Sequence, residues 1–165
     1  MKKVLVSLIM AATMTMNACQ DQNAEVTALK SRVDDLEKQL AETYKPGFGE
    51  FMSGIQVHHA KLWFAGLNQN WKLADFEVHE IMEALEDLQK YQSGRTETRL
   101  IPTLNPAIEG VNEAIKKQDV ISFKSSYMSL TEACNNCHRD VNYEFNMVKI
   151  PDRPPFSNQI FNTQK

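Results

Sequence analysis

The apolar positions of this chain recur at helical spacing in five separate stretches, and none alternates residue by residue as a half-buried strand does. In the first stretch, Val26, Leu29, Val33, Leu36 and Leu40 repeat at 3-4-3-4 spacing, an a/d seam of fewer than three heptads. As a helix, residues 24–44 would make a stalk of roughly 30 Å at about 1.5 Å per residue. Three roles are open to it: self-association into a homo-oligomer, packing on its own domain, or spacing that domain from a membrane. "KPGFG" (45–49) ends the stalk, because proline lacks a donor and glycine admits unusual dihedrals.

Four further amphipathic stretches follow. Phe48, Phe51, Met52, Ile55, His59, Leu62 and Trp63 share one helical face. "NQN" (68–70) turns the chain, with Asn70 predicted as N-cap of a helix striped by Trp71, Ala74, Val78, Ile81, Met82, Leu85 and Leu88. "SGRTETRLIPTLNP" (93–106) reads as a longer loop, after which Asn105 as N-cap and Pro106 at the first helical position start a third helix. Its face is Leu104, Ile108, Val111 and Ile115. Asp119 then caps a last helix whose stripe is Val120, Phe123, Tyr127, Leu130, Cys134, Cys137 and Val141. Mostly short connections between four such helices predict an all-α protein, an antiparallel four-helix bundle over residues 47–145 preceded by the heptad stalk. The tail at 146–165 carries three prolines in "IPDRPPFSNQIF" and cannot be helical throughout. It is expected to cross the bundle end or to stay disordered.

The first eighteen residues change this picture. Lys2 and Lys3 precede the apolar run "VLVSLIMAATMTM", which is short for a membrane span, and a small residue stands before the expected cut. This is the pattern of an export signal over residues 1–18. Cys19 directly after it resembles the lipidated first residue of a bacterial lipoprotein, although Met16 and Asn17 depart from that motif; simple cleavage near Ala18 is the alternative. Residues 19–46 would then be a lipid-anchored tether and heptad helix, and the product would face the periplasm or cell envelope. Losing Lys2 and Lys3 leaves 16 basic against 21 acidic residues, a net −5, and with no basic block nucleic acid is not expected as a partner.

The remaining two of three cysteines stand in "TEACNNCHRDVNYEF" (131–145). C-x-x-C-H is the attachment signature of c-type haem. Cysteines three apart lie within one helical turn and can form thioethers to two vinyl groups of one porphyrin, while the following histidine projects toward the iron. Cys134, Cys137 and His138 are thus the candidate binding residues for one covalent haem, with His138 as proximal iron ligand. A redox dithiol would want a strand-to-helix junction, a zinc site about four ligands, and a disulfide inside one helical turn would be strained. With two thiols for haem and one for the N-terminus, no pair remains for a disulfide.

A C-x-x-C-H motif near the end of the fourth helix, carried by "LTEACNNCHRDVNYEF" (130–145), resembles the cytochrome c′ and c-556 group of class II c-type cytochromes. The likeness spans roughly residues 47–145. It implies a four-helix bundle holding haem on Cys134, Cys137 and His138. The heptad stalk, the lipoprotein-like start, the Pro-rich tail and "IQVHHAKLWFAG" (55–66) all depart from that group's usual pattern.

In such a bundle the end of the fourth helix lies beside the start of the first, so the distal group should come from the early part of residues 48–63. Met52, His58 and His59 are the candidates. Met52 and His59 lie near the centre of the apolar face and roughly 10 Å apart along the axis, so both cannot ligate one iron. His59 could equally be a core histidine bonded to a neighbour, and Met52 plain core filler. Arg139 could pair with a haem propionate or face solvent. Trp63 and Trp71 are expected to pack near the first turn, and His79 to be solvated. With no phosphate loop or nucleophile–base pair, the expectation is an electron carrier rather than an enzyme: a single-haem cytochrome working with a redox partner protein. A gas-binding haem protein with an open distal site, or a structural lipoprotein, are the alternatives.

Overall fold

In the computed structural model, residues 23–40, 42–43 and 46–163 are described. The signal region and Cys19 lie outside them. The chain divides into two compact units, residues 1–45 and 46–165. In the first, residues 23–40 form helix α1, on which Val26, Leu29, Val33, Leu36 and Leu40 are all exposed.

The second unit is an all-helical bundle without strands among the described residues: α2 (Phe48–Leu67), α3 (Trp71–Tyr91), a 3-10 helix (Glu97–Leu104), α4 (Asn105–Lys116) and α5 (Val120–Asp140). Helix α2 packs on α3 and α5, and α4 bridges α3 and α5. The core is the set of predicted stripes: Ile55 and Leu62; Ala74, Val78, Ile81, Leu85 and Leu88; Ile108, Val111 and Ile115; Phe123, Tyr127 and Leu130. Trp63 and Trp71 close on Phe123, with ring centroids 6.4 and 6.1 Å away. No described helix is long and apolar enough to cross a membrane.

Three helix ends share one construction. Gln69, Gln118 and Asn142 take left-handed backbone at φ 54, 53 and 61°. At each, two amide groups fold back onto the last turn, as Asp119 N does on Ala114 O and Tyr143 N on His138 O. This is the Schellman arrangement, which satisfies carbonyls that the helix leaves unpaired. In the first two turns the next residue also caps the following helix: Asn70 accepts from Leu73 N at 3.3 Å, and Asp119 accepts from Ile121 N and Ser122 N at 2.9 and 3.2 Å. The connections are short because one residue serves two helices.

Two expectations are corrected. Residues 97–104 are not loop but 3-10 helix, burying Thr98, Ile101 and Leu104. Asn105 is therefore not an N-cap: its own backbone is helical at φ −52, ψ −47, and a cap requires a non-helical residue. The tail is laid on the bundle, its start between the end of α5 and the first half of α2. Its residues 147–152 pass beside Gln56, His59 and Ala60, Phe156 lies under Lys61 Nζ at 5.8 Å, and the buried Phe161 ring packs tilted against Phe64 with centroids 5.7 Å apart. It follows α2 along its length because Ile150 and Phe161 supply apolar anchors there.

Candidate functional site

Four segments enclose one cavity of about 370 Å³: the first half of α2, the 3-10 helix, the end of α5 and the start of the tail. That volume is within the usual range for a small-molecule or cofactor site, about 300–1,000 Å³. Its apolar wall comprises Phe48, Met52, Ile55, Ile101, Leu104, Val141 and Val148. Cys134, Cys137 and His138 line the same cavity, so the motif and the early part of α2 do meet.

The three motif residues have distinct surroundings. Both cysteines are half-buried free thiols on the cavity wall. Burial pushes the Cys134 thiol up to about 11, and burial followed by the charges of Asp140 and Glu97 raises that of Cys137. A reactive dithiol needs the opposite shift, toward thiolate; neutral sulfur suits these positions. His138 Nδ1 lies 2.6 Å from the backbone oxygen of Asn146. A carbonyl can only accept, so the proton is on Nδ1 and the Nε2 lone pair of the neutral ring is left to bind a metal. Metal-ligating histidines are oriented in this way. The described residues hold no group of three or more His, Cys, Asp or Glu placed to share an ion. A zinc site, which takes four ligands as a rule, is not formed there.

The distal candidates separate. His59 is 4% exposed, and both ring nitrogens are engaged: Nε2 is 3.0 Å from Thr131 Oγ1 and Nδ1 is 2.9 Å from the Tyr127 hydroxyl. Although it edges the cavity, it is tied into the core, and burial lowers its pKa to about 4. His58 is directed away from the cavity, its Nδ1 2.6 Å from the fully buried carboxylate of Glu77, which also lies 3.4 Å from Lys61 Nζ. Met52 alone of the three presents an uncommitted side chain to the cavity.

Other polar groups at the site were not legible in the sequence. Arg95 lines the cavity, its guanidinium 5.0 Å from the Phe48 ring centroid and 2.5 Å from Glu97 Oε1, a bond that holds the Glu97 carboxyl below its usual range. It sits in what reads as loop, so no periodicity marks it. Arg139 instead pairs with Glu132 and Asn136 on the exposed face of α5 and does not line the cavity. His79 is exposed, with Nδ1 on the Asp75 carbonyl. Asn135, between the two cysteines, is buried and makes two bonds to Val148 of the tail.

Comparison with protein-family models, with curated proteins and with solved structures finds no match.

Proposed function

We propose that this protein is a single-haem c-type cytochrome that carries electrons outside the cytoplasm, its four main helices forming an antiparallel bundle around the cofactor. The observation that carries this reading is the wall made by Cys134, Cys137 and His138, with the His138 proton held on Nδ1 by the Asn146 carbonyl. The residues fit haem: two neutral half-buried thiols for thioethers, one oriented imidazole, and a largely apolar cavity beside them. A haem held there would supply one-electron chemistry, and the chain's contribution is burial, axial ligation and access. Met52 is the distal ligand in this reading, since His59 would have to break a core hydrogen bond to serve. Arg95 is the cation on the cavity wall, and pairing with a propionate would draw it from Glu97. Cys19 anchors the chain to a membrane through lipid, and a redox partner protein exchanges electrons with it.

A second reading is a gas-binding haem protein with a vacant distal side. It is favoured by the engagement of both His59 nitrogens, which leaves Met52 as the one strong iron donor among the distal candidates and Ser53 and Gln56 as the other polar groups of α2 on the cavity. The visible spectrum of the reduced, matured protein with and without carbon monoxide separates the two. A low-spin spectrum unchanged by carbon monoxide supports electron transfer; a high-spin spectrum that shifts supports gas binding. A colourless matured protein with both thiols reactive overturns both, leaving a structural lipoprotein. Mass spectrometry of the mature N-terminus tests lipidation, and an unmodified Cys19 ends that part.

A further inference from the structure

We infer that Asn135 is a positioning residue for the proximal histidine, acting through the C-terminal tail. This deepens the haem reading and rests on it. The carbonyl that orients His138 belongs to Asn146, eight residues beyond it and outside the helix. A carbonyl in a tail segment directs a proton only if that segment is held. The holding group is Asn135: its Nδ2 donates to Val148 O and its Oδ1 accepts from Val148 N, both at 2.8 Å. One side-chain amide thereby copies a strand pairing and fixes the backbone two residues after Asn146. Asn135 is 8% exposed, so these bonds compete little with water. On the other flank, Asn146 N donates to Tyr143 O at 2.9 Å, and Tyr143 N closes the α5 terminus on His138 O at 2.7 Å. The carbonyl is pinned from both sides, and the α5 residue that pins it lies three before the histidine it orients.

The consequence is electronic. An imidazole that donates through Nδ1 is a stronger donor to the metal through Nε2, which favours the oxidised state. Asn135→Ala in the full matured protein should raise the midpoint potential, by a shift on the order of a tenfold change in the reduction equilibrium, about 59 mV for one electron. Val148→Pro removes the amide donated to Oδ1 while leaving α5 and its cysteines untouched; it should shift the potential the same way, and it serves if Asn135→Ala fails to mature. Limited proteolysis should cut the tail of either variant faster. A potential unchanged in the variant that matures, with the tail shown by proteolysis to be released, overturns the inference while the haem reading stands. A matured wild-type protein without haem overturns the haem reading itself.

A separate observation points to a second copy of this chain as the occupant of the α1 seam. We propose that α1 forms a parallel two-stranded coiled coil. Val26, Val33 and Leu40 fall at a, Leu29 and Leu36 at d, and all five are about half exposed or more. Val at a with Leu at d favours two strands in parallel. The flanking charges match it: Glu25 at g faces Lys30 at e of the second copy, and Arg32 at g faces Glu37 at e. Five apolar layers make a weak, concentration-dependent dimer, read by sedimentation of the full chain. Glu25→Lys should weaken association and Glu25→Lys with Lys30→Glu should restore it. Val26→Cys should crosslink to its own counterpart under mild oxidation. A monomer at every concentration, association indifferent to the charge swaps, or no crosslink at position 26 overturns it.

Discussion

The Tyr127 hydroxyl lies 2.8 Å from the backbone oxygen of His59 and 2.9 Å from its Nδ1, so one proton from α5 is shared by two acceptors on one residue of α2. The His59 ring in this network is neutral, because burial disfavours its charged form. Nε2–H donates to Thr131 Oγ1, and the Thr131 hydroxyl donates to Tyr127 O at 2.9 Å. Every polar atom of this buried group is then satisfied. Tyr127→Phe removes the shared donor and leaves the buried His59 Nδ1 without a partner, while His59 O keeps its place in the α2 ladder. The substitution should cost about 1–3 kcal/mol, read as a lower urea midpoint with unchanged slope.

The same network sets a pH dependence. Burial lowers His59 from 6.5 to about 4 in the folded protein. Between those values the unfolded chain binds a proton that the folded one refuses, so stability rises with pH. The contribution is fully present above about 6.5 and is lost as pH falls toward 4, amounting to about 3 kcal/mol. Denaturant titrations across this range should show that slope, and His59→Gln should flatten it.

Gly66 lies against Phe123 so closely that an added Cβ would sit 2.2 Å from the ring carbons Cε1 and Cζ. Alanine ordinarily improves a helix interior by up to about 1 kcal/mol over glycine. Here Phe123 is fully buried among Trp63, Trp71 and Tyr127 and has nowhere to swing. Overpacking of this kind costs about 1–3 kcal/mol, so Gly66→Ala should lower the melting temperature.

Gln118 shows the reverse case. Left-handed backbone costs a side-chain-bearing residue about 1–2 kcal/mol, while glycine adds unfolded-state entropy worth about 0.4–1 kcal/mol. Its φ of 53° makes the first term decide. Gln118→Gly should therefore stabilise the protein modestly, seen as a raised melting temperature in calorimetry.

At the site, Met52→Leu keeps the apolar lining and removes the thioether. In the matured protein this change should convert a low-spin reduced spectrum into one that responds to carbon monoxide. A spectrum identical to that of the wild type would reduce Met52 to cavity lining.

The helices and the core were written in the sequence, because burial imposes a 3.6-residue period on apolar positions and cap residues mark where it restarts. The stripes of α2 to α5 and the caps Asn70 and Asp119 follow directly from that pattern, and so do the chemistry-bearing residues of "CNNCH", whose spacing is local. Three things were decided only by the tertiary structure. Residues 97–104 became a cavity wall, with Arg95 just ahead of them, because contact rather than periodicity orders a short 3-10 segment. His59 became a core histidine because Tyr127 and Thr131, 68 and 72 residues away, supply its partners. The tail became part of the site because Asn135 and Phe161 find partners on it and on α2. Each depends on groups distant in sequence, and no local pattern encodes which of them will meet.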